Sequence, residues 1–288
     1  MTPEDVVGRI RPYVRWTPSW RVTVDGRDVV LKLEHLQVGG SFKFRGAVSA
    51  LTDGPPPERV VTASGGNHGL GVALAASVLG VPATVYVPET VPEGKARRIK
   101  AAGATLVRHG NTYAEAAAAA REAPGRYVEA YDDPAVVAGQ GTVALEIVAD
   151  MPEVDSIAVA VGGGGLAAGT ALGSKRLTVA VEPEMCCALN RALHAGGPVD
   201  SPVESVAASA LGATRVGMLP FEVLSRYPVT SVLVSDAELS AARDRLWEEF
   251  RLAVEPAAAV PFAAWLDGRV PGHLPCVVLC GANTDWTP

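Results

Sequence analysis

The feature that most constrains the fold is an alternation running along most of the chain. Short β-branched runs at 29–33, 60–62, 84–87 and 105–107 are separated by alanine-rich amphipathic stretches at 69–79, 95–102 and 113–122. The pattern resumes with apolar runs at 157–161, 177–181 and 276–279 and a helical stretch at 236–250. Strands alternating with helices predict parallel sheets in an α/β architecture, one sheet in each of two lobes. The 288 residues suffice for both lobes and their cores. Pro55-Pro56-Pro57 reads as a stiff connector near the first crossing between them.

Several classes of function are excluded. The net charge is −6 and no basic stripe is present, so the electrostatic footprint of a nucleic-acid binder is missing. The one basic cluster, Lys95-Ala96-Arg97-Arg98-Ile99-Lys100, reads as a solvated helix face. The longest uncharged run, 60–88, holds Asn67, His68, Pro82 and five glycines, which suits a strand, loop, helix and strand and not a membrane span. Glu4 and Asp5 near the start argue against a secretory signal, so a soluble cytoplasmic protein is expected. Cys186, Cys187, Cys276 and Cys280 lack zinc-ligand spacing and suggest no disulfide framework.

Four segments could carry chemistry. Lys43 lies between Phe42 and Phe44 at the head of a helix-forming run, where apolar neighbours lower an amine's pKa and free its lone pair; most lysines, by contrast, are simply solvated. Gly162-Gly163-Gly164-Gly165 follows a strand and opens a helix at 166–171, the arrangement that cradles a phosphate on backbone amides, although a glycine run also serves as a flexible turn. Its spacing fails dinucleotide logic, because Glu182, close to the ribose-binding position, leads into proline. Ser64-Gly65-Gly66-Asn67-His68 forms a second turn of the same kind, open to a carboxylate. For His68 a helix-capping or core role is the simpler reading. Cys280 follows an apolar strand and precedes Gly281-Ala282-Asn283; it is either a small core residue or a group facing a bound ring.

Taken together, these segments resemble the fold-type II pyridoxal phosphate enzymes, and within them the threonine/serine dehydratase and serine racemase branch. The likeness also covers Lys32-Leu33-Glu34, Ala138-Gly139-Gln140-Gly141-Thr142, Val181-Glu182-Pro183 and Val254-Glu255-Pro256. It implies a two-lobed, tryptophan synthase beta-like α/β fold, each lobe an open, mostly parallel sheet flanked by helices. The large cofactor-binding domain would comprise 1–48 and 138–288, and a small, mobile substrate-loop domain 49–137. It further implies that Lys43 forms the Schiff base with pyridoxal 5'-phosphate and Phe42 packs beside the ring. Asn67 would meet the ring's 3-oxygen, and Gly162, Gly163, Gly164, Gly165 and Leu166 the phosphate. Cys280 would face the ring nitrogen with Glu255 near the same end, and Ser64, Gly65, Gly66, Asn67 and His68 would grip the substrate carboxylate. The implied reaction is β-elimination from threonine or serine to a 2-oxo acid and ammonia, with Lys43 as general base. A thiol does not keep the ring nitrogen protonated as an aspartate would, and this favours elimination over transamination.

The chain also departs from that branch. Racemases place a serine where Gly65 stands, so racemisation is disfavoured. The divalent-metal site of many relatives uses a glutamate, matched by Glu182, a backbone carbonyl near Cys186 and an aspartate whose position is Ala188 here, so a weak or empty site is expected. Ala207-Ala208-Ser209 replaces an Ala-Asp-Gly, and Tyr131 either restricts side-chain size or is a surface aromatic. The chain's stop soon after Asn283 leaves no regulatory domain to be expected. Alternatives are a racemase, a specialised β-elimination or β-replacement enzyme, and a silent cofactor-binding protein. A homodimer is the expected assembly.

Overall fold

The structure, a computed structural model, describes residues 1–284. Its ten strands are β1 (Ser19–Val24), β2 (Arg27–Lys32), β3 (Val60–Ala63), β4 (Ala83–Val87), β5 (Thr105–Arg108), β6 (Arg126–Tyr127), β7 (Ser156–Ala160), β8 (Leu177–Pro183), β9 (Val229–Val234) and β10 (Pro275–Val278). They form a six-stranded sheet in the order β1-β2-β10-β7-β8-β9 and a four-stranded sheet in the order β5-β4-β3-β6. Every pairing is parallel except β1 with β2.

The parallel strands at the sheet centres are buried at every position: Val60–Ala63, Ser156–Ala160 and Pro275–Val278. Strands of that kind need helices on both faces, which the alanine-rich segments supply. The antiparallel exception is local. Asp25 and Gly26 both have positive φ, 50° and 73°, and so form the tight turn that joins β1 to β2 as a hairpin.

Helix Lys43–Leu51 links the two sheets. Its Phe44, Ala47, Val48 and Leu51 join the core around the four-stranded sheet. Its Arg45 points the other way, into a buried ionic cluster. The guanidinium donates to both oxygens of Glu34 (2.6 and 2.9 Å) and both of Glu146 (2.7 and 2.9 Å). Lys32 Nζ adds 2.8 Å to Glu146 and 2.7 Å to the Thr17 carbonyl. Two cations and two anions, each fully hydrogen-bonded, offset the cost of burial, and removing one partner would leave a bare charge inside. The cluster therefore ties the start of the Lys43 helix to β2 and to helix Pro134–Asp150.

Candidate active site

Both glycine-rich turns and Lys43 lie at the carboxyl ends of parallel strands, where open α/β sheets bind ligands. β3 ends at Ala63 and gives way to Ser64; β7 leads through Val161 into Gly162; β10 leads through Leu279 into Cys280. Phe42 N–H donates to the Cys280 carbonyl at 3.1 Å, and Ser41 bridges Gly281, so the segment before Lys43 is stitched to the end of the β10 segment. One cleft is lined by Phe42, Lys43, Asn67, Tyr131, Gly162 to Leu166, Glu255 and Cys280.

Lys43 Nζ donates to the Ala130 carbonyl at 2.9 Å and stands 5.2 Å from the centre of the Phe42 ring. Burial lowers its pKa from 10.5 to about 8, so an appreciable fraction of free amine exists near neutrality. The N–H groups of Gly163, Gly164, Gly165 and Leu166 meet no acceptor among the described residues. A Cβ at Gly163 would lie 2.2 Å from two carbons of the Tyr131 ring, so only glycine allows that approach. Tyr131 is fastened by its neighbours. Asp132 accepts from the amides of Met218 (3.1 Å) and Leu219 (2.8 Å), and Asp133 caps helix Pro134–Asp150 through Ala135 (2.8 Å) and Val136 (2.9 Å). Tyr131 is thus a wall of the cleft and not a surface aromatic.

The Ser64 turn is polar. Ser64 Oγ accepts from Gly66 N–H at 3.1 Å, and Asn67 Nδ2 donates to Glu255 Oε1 at 2.7 Å. Asn67 Oδ1 accepts from Asn283 Nδ2 at 2.8 Å, which leaves one Asn67 amide proton for a ligand. Burial raises Glu255 to about 7, against the lowering effect of Asn67 and Lys95. Burial also raises Cys280, which remains a thiol. His68 is a core residue that also borders the substrate side: Nε2 meets Thr62 Oγ1 at 2.9 Å and the Val128 carbonyl at 3.1 Å, and burial holds it neutral, at about 3.

Glu182 lies away from the cleft. Its two oxygens accept the amides of Leu189 and Asn190, both at 2.8 Å, so it caps helix Ala188–Ala195. Two lining groups escaped the sequence reading. One is the Ala130 carbonyl, which no side-chain pattern reveals. The other is Lys95, assigned there to a solvated face. Helix Glu93–Ala101 does expose Arg97 and Lys100, but turns Lys95 and Arg98, half-buried, toward an adjoining space lined by Gly65, Gly66, Asn67 and Glu255. Their spacing of three residues was the available signal.

This arrangement of an amine, an amide cradle and an aromatic wall fits a phosphorylated aromatic aldehyde. A family described as pyridoxal-phosphate dependent enzyme matches residues 10–281. The chain belongs to that family. Among curated members it is 38% identical to an L-threonine ammonia-lyase of Geobacter sulfurreducens over 275 residues, covering 90% of this chain and 68% of that one. It is 36% identical to an L-threonine ammonia-lyase of Thermotoga maritima, covering 91% and 69%. Among solved structures, a T.th. threonine deaminase superposes with a TM-score of 0.92 at 35% identity, covering 99% of this chain and 98% of the other. A maize serine racemase follows with 0.91 at 27%, covering 98% and 93%. The two-sheet α/β architecture is that of the fold-type II branch, as the sequence suggested.

Proposed function

We propose that the chain is an L-threonine/L-serine ammonia-lyase that removes water from a β-hydroxy amino acid and delivers a 2-oxo acid and ammonia. The observation that carries this reading is the Lys43 amine, at about pKa 8, in one cleft with the tetraglycine amides. Pyridoxal 5'-phosphate supplies an electron sink for charge at the substrate's α-carbon. Lys43 would hold it covalently, with Phe42 against the ring and the free Asn67 proton on the 3-oxygen. Gly162, Gly163, Gly164, Gly165 and Leu166 would take its phosphate. Cys280, kept as a thiol, would face the ring nitrogen, with Glu255 behind Asn67.

On the substrate side, Ser64, Gly65, Gly66, Asn67 and His68 would hold the carboxylate, and Tyr131 would limit the side chain. The Lys43 amine would take the α-proton as general base, and one proton returned to the β-hydroxyl lets it leave as water, so the elimination neither gains nor loses a proton overall. The enamine so released gives the 2-oxo acid and ammonia on hydrolysis. Racemisation would need a proton donor where Gly65 stands, and a Cβ there lies 2.6 Å from Val91 Cγ2. That contact counts against a serine racemase. Both Glu182 oxygens accept backbone amides, and we expect no divalent metal at that position. Residues 49–137 would move as the small domain against 1–48 and 138–288, in a homodimer.

Replacing Lys43 with alanine should abolish both the near-visible cofactor absorbance and 2-oxo acid release from threonine and serine. Retained turnover would refute the assignment. A bound cofactor with no turnover on any β-hydroxy amino acid would leave a silent binding protein instead.

A further inference from the structure

We propose that Lys95 binds the substrate's α-carboxylate, supplying the full positive charge that the Ser64 to His68 turn lacks. The proposal rests on the reading of the cleft given above and deepens it.

Lys95 borders two spaces. One is lined by Gly65, Gly66, Asn67, Glu255 and Asn283; the other opens beside Lys43, Ser64 and His68. Lys95 therefore lines the same spaces as the turn. Helix Glu93–Ala101 fixes this orientation by burying Ala96 and Ile99, which leaves position 95 facing the cleft.

The other charged groups along these walls are committed. Lys43 donates to the Ala130 carbonyl and belongs to the chemistry. Arg98 donates to the Thr284 carbonyl. Glu255 accepts from Asn67. His68 is neutral and tied to Thr62 and Val128. Lys95, half-buried, makes no hydrogen bond or salt bridge among the described residues, and its charge acts on Glu255 through space only. The turn itself offers amides and the Ser64 hydroxyl, which already accepts from Gly66. Hydrogen bonds from a charged donor to a carboxylate are about twice as strong as neutral ones, and a long flexible stem lets an ammonium follow its ligand.

The test uses the holoenzyme, whose cofactor absorbance responds when an amino acid binds. L-alanine has no β-leaving group and reports binding without turnover; L-alaninamide lacks the carboxylate charge. In Lys95→Gln the affinity for L-alanine should fall about tenfold, the energy of one charge-assisted contact. Affinity for L-alaninamide should be unchanged. KM for threonine should rise about as much with kcat within about threefold, and Lys95→Arg should recover most of the loss. Added salt should weaken L-alanine binding to the native protein more than to Lys95→Gln. Unchanged L-alanine affinity in Lys95→Gln would overturn the proposal, as would an equal loss for L-alaninamide. A native protein with no cofactor band would overturn the parent reading instead.

Discussion

The two glycine-rich turns make an instructive pair. Each leaves the end of a buried parallel strand and opens a helix, Asn67–Leu79 after β3 and Gly165–Ser174 after β7. The second is rigidly backed: a Cβ on Gly162, Gly163 or Gly164 would meet Leu211, Tyr131 or Pro220. The first is tightly packed at Gly65, against Val91, while Gly66 has room; it is held besides by side-chain hydrogen bonds through Asn67 to Glu255 and Asn283, and it borders Lys95. A resident group suits the fixed cradle, because preformed amides lose nothing on ordering. A ligand that enters and leaves at every turnover suits the adjustable one.

Three substitutions break or sharpen this contrast. The largest effect is expected at Gly163→Val, which drives the turn off the Tyr131 ring. Cofactor affinity, followed by absorbance on titrating the apo-protein, should fall at least ~100-fold, with partial recovery when Tyr131→Ala is added. Gly65→Ala should act on the other ligand. Its new methyl meets Val91 Cγ2 at 2.6 Å, and the displaced turn should raise KM for threonine ~10-fold with cofactor affinity intact. Val91→Ala in the same chain should restore it. If Gly65→Ala lost the cofactor as severely as Gly163→Val, the division of labour between the turns would be wrong.

The smallest effect lies behind the first turn. Burial raises Glu255 from 4.5 to about 7, so between those values the folded protein holds a proton that the unfolded chain has released. Stability contributed by the neutral acid is present at low pH and is lost as pH rises through that window, at most about 1.4 kcal/mol per pH unit. Denaturant unfolding of Glu255→Gln should show a shallower loss between pH 5 and 7 than the native chain. Glu182, raised to about 7 by its own burial, leaves a residual slope of the same sign.

Legibility followed the locality of the signal. The helices Tyr113–Glu122 and Asp236–Phe250 have the bounds their sequence suggests, because Thr112 with Glu115 and Ser235 with Glu238 form capping boxes. Helix Pro134–Asp150 went unread as a helix. It is buried along most of its length and carries Gly139 and Gly141, so it shows neither an amphipathic stripe nor high helix propensity. Strand β1 was missed because its burial pattern is irregular and only the Asp25-Gly26 turn marks it. Within the site, Lys43 and both turns stood out because glycine runs and a flanked lysine are visible one segment at a time. Tyr131 stayed ambiguous, and Lys95 was placed on the wrong side of its helix.

The sequence by itself determined the alternation of strands and helices, the amine at position 43 and the two turns with unused amides. These follow from hydrophobic period, side-chain chemistry and the small size of glycine, all of which act within a few residues. Tertiary structure decided which groups meet: the Tyr131 ring over Gly163, Glu255 against Asn67 and Lys95 in one space with Gly65, while Glu182 turns to its own helix. Those pairings depend on which strands lie side by side and on how deeply each group is buried. Contacts that span 188 residues, as Asn67 to Glu255 does, leave no trace in any local stretch of chain.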